Sequence, residues 1–184
     1  TGGFDPIHSG HIDYFNSARK LGDSLVVGIN SDEWLTRKKG RPFMPLAERI
    51  SIVENLKMVD HVITFDDSDG SACNAIKYLL EHTKSDVQIV FANGGDRTKE
   101  NIPEMSINDA RLKFVFGVGG EDKKNSSSWI LEEWKSPKTE RPWGYYRVLH
   151  EVPGLKVKEL TVNPGCNLSM QRHSLRSEYR SEEH

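Results

Sequence analysis

Four short apolar runs, residues 24–30, 61–65, 87–92 and 112–118, alternate along this chain with stretches of helical periodicity. That alternation constrains the fold more than any other feature. Runs of Val, Ile and Phe suit strands buried on both faces, which belong to parallel sheets. Parallel strands need crossover connections, and the intervening stretches supply them. Residues 10–21 carry Ile12, Phe15 and Ala18 at three-residue spacing, and residues 46–59 carry Leu46, Ile50, Val53 and Leu56. Residues 72–82 and 126–134 read as two further helices. The expected class is α/β, a doubly wound parallel sheet of the Rossmann-like kind, with ligands at the carboxyl ends of the strands. The glycine-rich opening at residues 1–6 should follow a strand, and none precedes it. The first strand is therefore expected to be missing and the chain truncated.

The pattern changes after Trp134. Residues 135–141 (KSPKTER) read as a polar linker, which makes residues 1–134 one domain and residues 142–184 the start of another. Residues 144–152 and 155–162 read as two strands joined at Pro153-Gly154. A bulge is expected inside 155–162, where Val157 falls out of frame with Leu160 and Val162. So short a tail is too small for a core of its own, and a partial β domain is expected.

Charge excludes some partners. With a formal net charge of −2 and 28% charged residues, the chain has no basic surplus for nucleic acid or an anionic membrane surface. No apolar run approaches the ~20 residues that span a bilayer. Cys73 and Cys166 form neither a disulfide framework nor a metal spacing, which fits a reducing, cytoplasmic setting. Any phosphate binding must come from a local cluster.

That cluster opens the chain. Gly2-Gly3-Phe4-Asp5-Pro6-Ile7-His8-Ser9-Gly10-His11 puts two histidines where the first helix begins. A helix N-terminus presents free N–H groups and the positive end of the dipole, which suits phosphate. Gly10 lets backbone or ligand approach closely. Two imidazoles there can hydrogen-bond phosphate oxygens and offset charge as pyrophosphate leaves. Residues 36–49 (TRKKGRPFMPLAER) add Arg37, Lys38, Lys39 and Arg41 on a loop and Arg49 in the next helix. Alone such a run is a solvated face; beside the histidines it reads as charge neutralisation for a triphosphate. Asn93-Gly94-Gly95-Asp96-Arg97 follows a strand, at the end where ligands sit. Lys123-Lys124-Asn125-Ser126-Ser127-Ser128 precedes a helix, where hydroxyls and N–H groups suit phosphate. Gly117-Val118-Gly119-Gly120 lacks the GxGxxG of a dinucleotide loop, and Glu48 and Glu54 read as exposed helix positions.

His8-Ser9-Gly10-His11 resembles the HxGH signature of the cytidylyltransferase-like nucleotidyltransferases. The stretch GGFDPIHSGHIDYFNSARKLGDSLVVGINSD is similar to the adenylyltransferase domain of the heptose-phosphate kinase/adenylyltransferases, and to glycerol-3-phosphate cytidylyltransferase. The likeness covers roughly residues 1–131. It implies direct in-line transfer of a nucleoside monophosphate from a nucleoside triphosphate to a phosphorylated acceptor, with no covalent enzyme intermediate. It implies that His8 and His11 bind the triphosphate and stabilise the transition state, with Lys39 and Arg49 offsetting charge. Gly3, Phe4, Asp5, Gly10, Gly94, Gly95, Asp96, Ser127 and Ser128 would form the nucleotide site. Mg²⁺ would travel with the nucleotide, since no carboxylate cage stands out. The Gly94-Gly95-Asp96 segment tilts the base toward ATP, although Arg97 stands where the family carries an aromatic residue. Family members often dimerise, so a homodimer is kept as an expectation, without an interface signature.

Arg141-Pro142-Trp143-Gly144, Pro164-Gly165 and Leu168-Ser169-Met170-Gln171-Arg172-His173 resemble the opening of a cupin, of the type II mannose-6-phosphate isomerase kind. In cupins, histidines and a glutamate hold a divalent metal. His173 and Glu178 fit that set, but Leu175 replaces a second histidine, so an incomplete metal site is expected. Joined to a nucleotidyltransferase, the segment suggests a sugar phosphate as acceptor. Three other readings stay open: a cytidylyltransferase for glycerol phosphate or another polyol phosphate, a nucleotide-binding module without turnover, and a cupin isomerase fragment.

Overall fold

Helices and strands alternate through the first two thirds of the chain, as the periodicity predicts. The computed structural model describes residues 1–95, 97–120 and 126–168. Contacts divide the chain into two compact units, Thr1–Leu131 and Glu132–His184. The first unit runs α1 (Ser9–Arg19), β1 (Val26–Ile29), α2 (Asp32–Lys39), α3 (Leu46–Glu54), β2 (His61–Thr64), α4 (Cys73–His82), β3 (Ile89–Ala92) and β4 (Leu112–Val115). A 3-10 turn at Pro103–Ser106 precedes β4, and α5 (Ser127–Lys135) follows it.

The strands pair in parallel, as the expected α/β class requires. Val27 of β1 lies opposite Val62 of β2, and Phe91 of β3 opposite Phe114 of β4. Among the described residues they form two two-stranded ribbons rather than one continuous sheet. Gly2 adds a single parallel bridge to Ile29. Its N–H donates to Gly28 O at 3.0 Å and its carbonyl accepts from Asn30 N at 3.0 Å. The glycine-rich opening therefore leaves the ribbon at the carboxyl end of β1.

Phe4, Phe15, Val27, Ile29 and Val53 form the core cluster, with Leu46, Ile50 and Leu56 packed against it. The apolar stripes of α1 and α3 thus face β1. Each such side chain, fully buried, contributes about 1.5–3 kcal/mol.

Two local readings are corrected in this unit. Residues 32–39 form a helix where the basic run reads as a loop. Ser31 caps it, accepting from Trp34 N at 3.0 Å. Asp32 and Glu33 in its first turn and Arg37, Lys38 and Lys39 in its last complement the helix dipole. Gly40, at φ +86°, ends it. The next helix stops at Glu54 rather than residue 59, because Leu56 N and Val59 N turn back onto Val53 O and Leu56 O.

In the second unit β5 (Thr139–Arg141), β6 (Gly144–Val152) and β7 (Leu155–Val162) form an antiparallel sheet in that order. β5 lies inside the expected linker, since Thr139 pairs with Tyr146 and Arg141 with Gly144. The expected bulge belongs to β6 instead of β7. Pairing steps from Val148–Lys158 to His150–Val157, leaving Leu149 as the extra residue. The frame slip visible in one strand is taken up by its partner. Among the described residues no helix is long and apolar enough to cross a membrane.

Candidate active site

His8 is the N-cap of α1, in extended conformation, and His11 follows within the first turn. The two rings stack, with centroids 3.8 Å apart and planes 24° from parallel. His8 N donates to His11 Nδ1 at 3.3 Å, so the neutral His11 ring carries its proton on Nε2. A Cβ at Gly10 would stand 3.1 Å from His8 Cε1 and 3.2 Å from His8 Nδ1. The glycine thus leaves room for the first histidine to fold over the helix start. Phe4 sets its edge against His11, with centroids 5.1 Å apart. Phe4 holds φ at +50°, a left-handed conformation that costs about 1–2 kcal/mol outside glycine.

Burial holds the His11 pKa down to about 4, helped by His8 and then Lys39. Burial and Lys39 lower the His8 pKa as well. Both rings are neutral at pH 7, and each offers one N–H. His8 Nδ1 is buried without a hydrogen-bond partner among the described residues.

Behind the pair stands a set of supporting groups. Buried Asp5 accepts from Phe43 N at 2.8 Å and Met44 N at 2.7 Å. Lys39 Nζ donates to Asp5 O at 2.9 Å, and burial lowers its pKa against the opposing pull of Asp5. Arg49 is 1% exposed and its guanidinium points into the protein. Nε donates to Met44 O at 3.1 Å, Nη1 to Gly3 O at 2.9 Å and Asn30 O at 2.8 Å, and Nη2 to Asp32 Oδ1 at 2.6 Å. Asp67 accepts from Asn30 Nδ2, Ser31 N and Ser31 Oγ at 3.0, 2.7 and 2.6 Å, which fixes the cap of α2. Ser127 Oγ donates to Pro6 O at 2.8 Å, so its one hydroxyl proton goes to the loop; Ser128 is exposed.

A cleft of about 890 Å³ joins the histidines to the ends of β3 and β4. It brings together Phe4, His8, Gly10, His11, Gly94 and Gly95 from the expected set. Gly3, Asp5, Lys39, Arg49, Ser127 and Ser128 do not line it. Asp96 and residues 123–125, expected at the nucleotide, lie outside the described residues, as do His173 and Glu178. The 117–120 segment, set aside in the sequence for want of a dinucleotide motif, forms part of the wall. Gly117, Gly119 and Gly120 have φ of +69°, +90° and +94° there. Sequence reasoning also missed Tyr14, which lines the cleft and donates to Ala92 O at 2.6 Å. No local signal marks it, because its partner is 78 positions away. Among the described residues no three of His, Cys, Asp and Glu are grouped to hold a metal ion.

The chain is similar to known proteins along most of its length. The cytidylyltransferase-like family matches residues 1–132, and the mannose-6-phosphate isomerase C-terminal family matches residues 132–181. The bifunctional protein HldE of Hahella chejuensis is 41% identical over 123 residues, 66% of this chain and 22% of that protein. The bifunctional protein HldE of Proteus mirabilis is 36% identical over 125 residues, 67% of this chain and 23% of that protein. That of Streptomyces coelicolor is 38% identical over 108 residues, 58% of this chain and 21% of that protein. The chain spans under a quarter of the length of these three relatives. A crystal structure of the lipopolysaccharide core biosynthesis protein from Thermoplasma volcanium GSS1 covers 66% of this chain and 93% of its own, at 27% identity and a TM-score of 0.47. With its paired histidines at a helix start and a match over residues 1–132, the chain belongs to the cytidylyltransferase-like family, and its first unit is a nucleotidyltransferase domain.

Proposed function

We propose that the first unit transfers a nucleoside monophosphate from a nucleoside triphosphate, ATP by preference, to a sugar phosphate and releases pyrophosphate. The observation that carries this reading is the stacked, neutral His8–His11 pair at the start of α1, opening on a cleft walled by glycine turns. Triphosphate oxygens would meet the free N–H groups of α1 and two imidazole N–H donors. As the bond between the α- and β-phosphates breaks, negative charge moves onto the leaving pyrophosphate, where those donors strengthen. A bound triphosphate raises the pKa of both imidazoles, so the pair gains positive charge where the leaving group gains negative charge. Lys39, bonded to Asp5 O, adds a cation behind the loop. Arg49 serves the same chemistry at one remove, by holding the Gly3 carbonyl and so the Phe4–Asp5 turn.

Mg²⁺ belongs to this reading as the partner of the triphosphate. The described residues offer no three-ligand cluster, so the ion would be held mainly by phosphate oxygens and would neutralise their charge. The choice of a sugar phosphate rests on the heptose-phosphate likeness of the first unit and on the mannose-6-phosphate isomerase match that follows it. A triphosphate substrate fits a cytoplasmic setting.

The test is pyrophosphate release with ATP and CTP in parallel, against sugar and polyol phosphates, with His11→Ala as control. Acceptor-dependent release with ATP and a sugar phosphate, absent in His11→Ala, supports the proposal. Release with CTP and polyol phosphates alone assigns the other substrate pair. No release from a folded chain overturns turnover.

A further inference from the structure

One side chain outside the histidine motif joins the two ends of the cleft. Tyr14 lies one helical turn beyond His11 on α1, and its hydroxyl donates to Ala92 O, at the end of β3, at 2.6 Å. Its ring and the Val118 carbonyl together close the space beside Gly94, where a Cβ would stand 3.0 Å from Tyr14 Cδ2 and 2.9 Å from Val118 O. Its backbone fills the space beside Gly119, where a Cβ would stand 3.0 Å from Tyr14 Cα. Those two glycine turns are tied to each other, since Val118 N donates to Asn93 O at 3.0 Å and Asn93 N to Val115 O at 2.7 Å. α1 carries the histidine pair at its start, so Tyr14 sets the gap between that pair and both turns. Burial pushes the phenol pKa up to about 12, which keeps the hydroxyl a donor at any working pH.

We infer that Tyr14 is a positioning residue for the nucleotide, holding the triphosphate end of the cleft at His8 and His11 in register with the nucleoside end at the glycine turns. The inference rests on the proposed nucleotidyl transfer. A nucleoside triphosphate has to occupy both ends at once. Once one half is bound, the other binds intramolecularly, with an effective concentration that falls as the spacing loosens. Removing the hydroxyl frees α1 to shift against the turns while leaving the groups of each end intact.

The experiment measures binding of ATP, AMP and inorganic tripolyphosphate to the wild-type chain and to Tyr14→Phe, with melting curves for both. The loss of one spacing hydrogen bond is expected to raise the ATP Kd about tenfold while AMP and tripolyphosphate stay within about twofold. Unchanged ATP affinity in Tyr14→Phe overturns the inference. So does a parallel loss for all three ligands with a lowered Tm, which marks a merely structural role. A wild-type chain that binds neither ATP nor CTP overturns the functional reading itself, which separates the two failures.

Discussion

Arg49 carries its charge almost wholly out of water, and Asp32, 2.6 Å away, is the anion that stabilises it there. Removing the guanidinium strands the Gly3, Asn30 and Met44 carbonyls and empties a buried site, while Asp32, 37% exposed, keeps Leu46 N as a donor. Arg49→Ala is therefore expected to cost about 3–5 kcal/mol, read from urea denaturation. An Arg49→Ala chain that keeps its stability and loses only turnover would make the residue catalytic instead. The histidines set a pH dependence. Unfolded, His11 titrates near its ordinary 6.5; folded, it titrates at about 4. Between those values the unfolded chain binds more protons, so stability rises with pH across the window and is complete above it. His8, shifted the same way, adds to the slope. The His11 contribution is expected to fall by about 2 kcal/mol from pH 7 to pH 4, reduced by the water at its exposed edge. Urea midpoints at the two pH values check this, and His11→Gln should flatten the difference. His8 and His11 were legible in the sequence because their geometry is set within one helical turn. The role of Arg49 was not, because its acceptors come from Gly3, Asn30, Asp32 and Met44, which only the fold brings together.

At the scale of elements, α2 couples a cap to a site. Ser31 accepts from Trp34 N and donates to Asp67, while Lys39, at the other end of the helix, reaches Asp5 O. Ser31→Ala is expected to cost about 1 kcal/mol, typical of a lost N-cap, and to lower turnover by loosening Lys39. Thermal melts and pyrophosphate release on the same preparation check both halves. Loss of stability without loss of turnover would detach α2 from the chemistry. The helix escaped sequence reading because the basic run from Arg37 to Arg41, three of whose four cations lie in the helix, outweighed the capping signal at Ser31-Asp32-Glu33. The strands were read nearly in place, since unbroken Val and Ile runs have few other uses. The bulge was placed on the wrong strand, because side-chain frame is a property of a pair and only one strand showed the slip.

For the whole chain, the order of elements was legible and their closure was not. Alternating helices and strands imply parallel pairing, but no residue pattern announces the two separate parallel ribbons seen among the described residues. The second unit carries a prediction of its own. Leu175 stands where the cupin pattern has a second histidine, so the full chain is expected to hold substoichiometric metal after exposure to Mn²⁺ or Zn²⁺ and gel filtration. One tightly held equivalent, measured by elemental analysis, would restore the isomerase reading.

The geometry around Gly10 bears on how this domain changes over evolutionary time. A side chain gained there would press on the edge of the His8 ring. The signature is one shape rather than three independent letters, and a side chain gained at its centre would push its first histidine out of place by a few tenths of an ångström. A change at Gly10 would be felt first at His8, so the two positions are expected to drift as a pair rather than singly.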